Sequence, residues 1–129
     1  MLLHVDPANG LAIYDQIVRQ VKYAVAQGAL QPGERVPSVR EVARDLALNP
    51  NTVARAYQQL QADGVLQAVR GMGLEVAPGA VSPCKQERKR LIHERLRSVL
   101  SEAKQSGLTL DELKQFVDRE FHSLSRGAN

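Results

Sequence analysis

The sequence predicts a mainly α fold with one small β-hairpin, and three observations carry that prediction. Two short helix signals stand back to back between Ser38 and Leu60, with only Leu46, Ala47 and Leu48 to turn the chain between them. Directly after the second, helical periodicity gives way to two β-prone runs around Arg70-Gly71-Met72-Gly73. Beyond these, apolar residues return three and four apart in two longer stretches, Lys85 to Ser106 and Leu108 to Ser125.

Residues Met1 to Leu11 read as extended or irregular, with turn chemistry at Asp6-Pro7 and Asn9-Gly10. A helix is expected from about Ala12 to Gln27, because Ile13, Ile17, Val21 and Val25 recur every four residues with Tyr14 and Ala24 beside them. Gly28 can end it in a left-handed conformation, and Leu30 can fold back on its last turn. Gln31-Pro32-Gly33 is a turn, and Arg35-Val36 a very short strand ahead of Pro37. This helix would form the third wall of a small core.

Ser38 and Glu41 then form a capping box, each side chain satisfying an orphan backbone donor of the other. After the corner at Leu46–Leu48, Asn49 is a good N-cap and Pro50 sits where its missing N–H costs nothing. The second helix runs until Gly64 stops it, with Val53, Ala56, Tyr57 and Leu60 on one buried stripe. At about 100° per residue, Asn51, Arg55 and Gln58 fall on the opposite face, flanked by Thr52 and Gln59. Those side chains pair with base edges and phosphates, which makes this a recognition helix in a helix-turn-helix. Tight helix pairs with polar outer faces also occur in domains that bind no DNA, so the sequence that follows matters. Val65–Val69 and Leu74–Ala77 form a hairpin, and a hairpin directly behind a recognition helix is a wing. Gly71 and Gly73 at its tip let backbone approach a sugar-phosphate chain closely. Residues 1–78 are thus expected to be a winged helix-turn-helix domain.

Residues 79–84 read as a linker, with Cys84 an ordinary residue in it. Residues 85–126 form two helices joined at Gly107. Ile92, Leu96, Val99 and Ala103 make a coiled-coil-like seam on the first, widened by Leu91 and Leu100. The second opens with a Thr109/Glu112 capping box and a Leu108–Leu113 staple, and carries Leu113, Phe116, Val117, Phe121 and Leu124 on one face. A pair of this size cannot bury both apolar faces by itself, so a second copy of the chain is the expected cover.

Seventeen basic residues against fourteen acidic ones give a net charge of +3. Seven of each fall in residues 1–79, whereas residues 80–129 hold ten basic and seven acidic, so the winged region is neutral. Any attraction to phosphate there must come from the placement of Arg35, Arg40, Arg44, Arg55 and Arg70. No apolar run approaches the ~20 residues that cross a bilayer, and the N-terminus lacks signal-peptide character, so a cytoplasmic protein is expected. A single cysteine precludes an intrachain disulfide and argues against a cysteine-based metal site. His4, His93 and His122 are scattered, and no phosphate loop or partnered nucleophile is evident, so neither enzyme activity nor a cofactor is expected.

The run Gly28-x-Leu30-x-Pro32-Gly33-x-x-x-Pro37-Ser38-Val39-Arg40-Glu41-x-Ala43 resembles the GntR family of bacterial transcription regulators. So does Asn49-Pro50-Asn51-Thr52-Val53-x-Arg55-Ala56-Tyr57-x-x-Leu60-x-x-x-Gly64, ending in Gly71-x-Gly73. The Asn-Pro-Asn-Thr start and the short two-helix tail are similar to the YtrA subfamily. The resemblance implies a dimeric winged helix-turn-helix repressor on an inverted-repeat DNA operator. Carried over by position, Arg40, Asn51, Thr52 and Arg55 match family DNA contacts, and Gly71 and Gly73 match the wing tip. Gln58 joins them from the helical face, and Met72 from its place between the two glycines. Met72 stands where the family usually carries a basic or polar residue, Leu74 replaces a frequent Thr, and Ala47 replaces a common turn Gly.

A protein-interaction module built on the same fold is the alternative. It would be expected to replace Asn51, Thr52 and Arg55 with apolar or acidic residues, which this chain does not do. A two-helix tail is short for enclosing an effector cavity of ~300–1,000 Å³ in one subunit, which leaves a dimer interface as the other place for one. The basic cluster Lys85, Arg88, Lys89, Arg90, Arg95 and Arg97 is either a solvated face or an added phosphate contact.

Overall fold

The computed structural model describes residues 1 and 3–127, which are mostly helical with one two-stranded antiparallel sheet. The chain divides into two compact units, residues 1–90 and the residues from 91 onward.

In the first unit α1 spans Ile13–Gln27, and the every-four repeat Ile17, Val21 and Val25 is fully buried. Gly28 ends the helix at φ +84, a conformation that only glycine takes without strain, and Leu30 donates back to the Ala24 carbonyl at 3.1 Å. The extended segment before α1 is held by two glutamines one turn apart. Buried Gln16 accepts from the Asp6 N–H at 2.9 Å and donates to the Asp6 and Leu11 carbonyls, while the Gln20 amide pairs with both backbone groups of His4. Side-chain amides here do what a neighbouring strand would do.

Helices α2 (Val39–Leu46) and α3 (Pro50–Ala62) form the tight pair, and α3 packs on both α1 and α2. The Ser38/Glu41 box is formed, with Ser38 Oγ accepting from Glu41 N at 3.1 Å and Glu41 Oε1 accepting from Ser38 N at 3.4 Å. Asn49 Oδ1 caps α3 by accepting from Asn51 N at 2.9 Å. Val53, Ala56, Tyr57 and Leu60 are the buried residues of α3, the stripe that the sequence predicts. The strands are β1 (Leu66–Ala68) and β2 (Leu74–Val76), with Leu66 opposite Val76 and Ala68 opposite Leu74. The Arg35 segment adds a minimal third strand, since Arg35 bridges to Glu75 and Val36 donates to the Leu74 carbonyl at 3.0 Å. The wing is thereby anchored to the residues that lead into α2.

Helix α4 spans Val81–Ser106, so it begins four residues before Lys85 and takes in part of the expected linker. Pro83 is tolerated because the N–H groups of a first turn have no helical partner to lose. Cys84 is not a linker residue. It is 2% exposed and, with Ala80, belongs to the core of the first unit, where burial raises its thiol pKa.

In the second unit α5 (Leu110–Gly127) follows a corner at Gly107, and Thr109 and Glu112 form the expected box. Burial is confined to few positions: among the described residues from 91 onward, only Leu91 and Ala103 are buried, with Leu108 and Leu113 half-buried. Ile92, Leu96, Val99, Leu100, Leu110, Phe116, Val117, Phe121 and Leu124 are all exposed. No helix among the described residues is long and apolar enough to cross a membrane.

Candidate nucleic-acid interface

The outer face of α3 is set by its buried stripe. With Val53, Ala56, Tyr57 and Leu60 turned inward, Asn51, Arg55 and Gln58 are exposed and Thr52 is half-buried at the edge. Tyr57 also fixes the helix pair. Its hydroxyl donates to the Pro37 carbonyl at 2.7 Å, which ties the middle of α3 to the entry of α2, and burial pushes its phenol pKa up. Asn51 and Arg55 are one turn apart and therefore neighbours on that face.

Arg55 is not a freely waving side chain. Its guanidinium carbon lies 3.8 Å from the centroid of the Tyr14 ring in the first turn of α1. The sequence reading placed Arg55 opposite the core stripe, which is correct for its Cα, yet the side chain reaches across to a half-buried aromatic. Nothing in the sequence pairs two residues so far apart.

The corner between the helices is strained. Ala47 sits at φ 54 and ψ 45, the one described non-glycine residue with positive φ. The left-handed turn that the family Gly would supply is kept, with Leu48 donating to the Ala43 carbonyl at 2.8 Å to close it. Arg40, in the first turn of α2, is exposed, as is Arg44.

At the wing tip Met72 N donates to the Val69 carbonyl at 2.9 Å, and Gly71 and Gly73 have φ of +74 and +80. Those glycines are required there by backbone conformation, and nothing lies within 4 Å of where a Cβ would be. Met72 is 50% exposed and uncharged, but a cation stands against it: the Arg35 guanidinium lies 3.1 Å from the Met72 sulfur. The short strand thus brings a positive charge to a tip that has none at Met72 itself.

The first part of the basic cluster lies elsewhere. Glu87 is bound by Arg90 at 2.7 Å and by Lys22, and Lys22 in turn holds Asp63 at the C-terminal end of α3. Asn51 is twelve residues before Asp63, about 18 Å at ~1.5 Å per residue. Residues 87–90 therefore sit by the end of α3 remote from Asn51. No group of three or more His, Cys, Asp or Glu side chains is gathered for a metal among the described residues.

The sequence of residues 13–76 matches the profile of bacterial regulatory proteins of the gntR family. The chain is 32% identical to the HTH-type transcriptional repressor YtrA of Bacillus subtilis over 116 residues, 90% of this chain and 89% of that one. In three dimensions it is similar to YtrA of Sulfolobus acidocaldarius, a GntR-family transcription factor, with a TM-score of 0.58 and 30% identity over 76% of this chain and 99% of that one. It is also similar to the AraR DNA-binding domain in complex with operator ORX1, with a TM-score of 0.51 and 26% identity over 58% of this chain and 93% of that one. With the capped helix pair, the glycine-tipped wing and a near full-length relative in agreement, this chain belongs to the GntR family of bacterial regulatory proteins.

Proposed function

We propose that this protein is a sequence-specific DNA-binding transcription regulator that represses by occupying an inverted-repeat operator as a homodimer. The observation that carries the proposal is the outer face of α3, where Asn51, Arg55 and Gln58 are exposed over a buried apolar back. Asn and Gln suit adenine edges in a major groove and Arg suits guanine or phosphate. In this reading exposed Arg40 and the wing residues Gly71, Met72 and Gly73 meet the DNA backbone, and Thr52 contributes from the edge of α3. The repressor name of the YtrA relative and the operator complex of AraR support the reading.

The homodimer rests on the second unit. Nine large apolar side chains are exposed along α4 and α5, and exposed apolar surface of this kind marks an interaction face when it is contiguous. A twofold pairing through these helices would present two α3 helices to two half-sites, which is why the operator should be an inverted repeat. The functional regions are then the first unit, residues 1–90, for DNA and the helices beyond it for pairing. The protein works in the cytoplasm, where bacterial DNA is, and performs no catalysis.

Selection of bound sequences from random duplex DNA tests this directly. The expected outcome is an enriched inverted repeat that Arg55→Ala no longer binds. Recovery of no common sequence would overturn DNA regulation in favour of a protein-interaction module. Sedimentation of a monomer at micromolar concentration would overturn the homodimer.

A further inference from the structure

We infer that Tyr14 is a positioning residue for DNA recognition, holding the Arg55 guanidinium in the orientation that α3 presents to a half-site. The inference rests on the proposal that the outer face of α3 meets DNA, and it adds a residue from a different helix to that function. Tyr14 is in the first turn of α1 and half-buried, so its ring is held by the fold. The Arg55 guanidinium carbon lies 3.8 Å from the ring centroid. The Arg55 guanidinium makes no hydrogen bond or ion pair with any described residue, so its side-chain N–H donors remain unused.

That combination is informative. A guanidinium held through the face of a ring keeps its in-plane fork of donors for a planar acceptor, the geometry that guanine or a phosphate requires. An exposed arginine otherwise spreads over many rotamers, and ordering it on binding costs side-chain entropy. Contact with Tyr14 removes part of that freedom before DNA arrives. A purely structural salt bridge would have consumed the donors, and an unpartnered arginine would have needed no aromatic beneath it.

A double-mutant cycle on the full chain separates the possibilities, measuring affinity for the selected operator and its variants together with the melting temperature. Tyr14→Phe keeps the ring and should bind like the unchanged protein. Tyr14→Leu should weaken operator binding by about five- to ten-fold, in the range of a partly desolvated cation–π contact, and should relax base preference at the position that Arg55→Ala relaxes. In the Arg55→Ala background, Tyr14→Leu should have no further effect on affinity. Tyr14→Gln, also without an aromatic face, replaces Tyr14→Leu if that variant melts early. Full affinity in Tyr14→Leu, with Arg55→Ala impaired, overturns the positioning role alone. An equal loss from Tyr14→Leu with and without Arg55 also overturns it, since the ring would then act only on the fold. Full affinity in Arg55→Ala overturns the assignment of Arg55 itself, and the positioning role with it.

Discussion

The Lys22 ammonium donates to the Asp63 carboxylate across 2.9 Å and lies 3.5 Å from Glu87, so one buried cation ties α1 to the end of α3 and the start of α4. Glu87 also accepts from Arg90, and these partners hold its pKa down to about 2 from an ordinary 4.5, the Arg90 hydrogen bond being the largest cause. A depressed carboxylate stabilises the fold above its unfolded pKa and loses that contribution as pH falls toward the folded one. Glu87→Gln should therefore melt below the unchanged protein at pH 7, and the gap should close as pH drops from about 4.5 to about 2. Melting curves across that range check it, and a gap that stays constant would remove Glu87 as the titrating group.

A cut after Pro78, which the sequence reading would choose as a domain boundary, should fail to give a stable winged domain. Ala80 and Cys84 are 3% and 2% exposed in the core, and Glu87 lies within reach of Lys22. Loss of buried side chains of this kind typically costs about 2 kcal/mol or more in total. A fragment ending at Arg90 keeps all three and should fold as a monomer that binds the operator weakly, because each half-site contact becomes a separate event. Circular dichroism melts of the two fragments, with sedimentation of the longer one, decide the matter.

Ala47→Gly should stabilise the protein. A left-handed alanine costs about 1–2 kcal/mol, while glycine gives back roughly 0.5–1 kcal/mol through the greater freedom of the unfolded chain. The net gain of about 0.5–1 kcal/mol should raise the melting temperature by a few degrees without altering operator affinity. A lower melting temperature would mean that the corner is not strained.

Arg35→Gln and Arg40→Ala should each weaken binding to every DNA sequence alike and flatten its salt dependence. A phosphate contact contributes a slope of about 0.9 in log affinity against log salt, so each substitution should lower the slope by roughly one unit. Arg35 carries the charge at the wing because Met72 does not, and its guanidinium already stands 3.1 Å from the Met72 sulfur. The pair Arg88→Gln and Lys89→Gln, beside Glu87 and remote from Asn51, should leave the slope unchanged. Titrations at several salt concentrations distinguish these outcomes.

Sequence alone determined the helices, their caps, the buried stripe of α3 and the wing. Each depends on residues within a few positions of one another, as Ser38 with Glu41 or Asn49 with Pro50, and local backbone rules act at that range. A sharp corner between the two helices was legible too, because only Leu46, Ala47 and Leu48 separate them, whereas the left-handed conformation of Ala47 is seen only in the structure. Tertiary structure decided which distant side chains meet: Tyr14 with Arg55, Arg35 with Met72, Lys22 with Asp63 and Glu87. It also drew Cys84 out of an apparent linker and into the core, since Pro83 suggests a break until it is placed in a first helical turn. Periodicity states which face of a helix is apolar, but not how a long side chain bends from that face or what lies beneath it. Those contacts arise only when the elements close around a common core, and two of them, Tyr14 with Arg55 and Arg35 with Met72, fall within the candidate site.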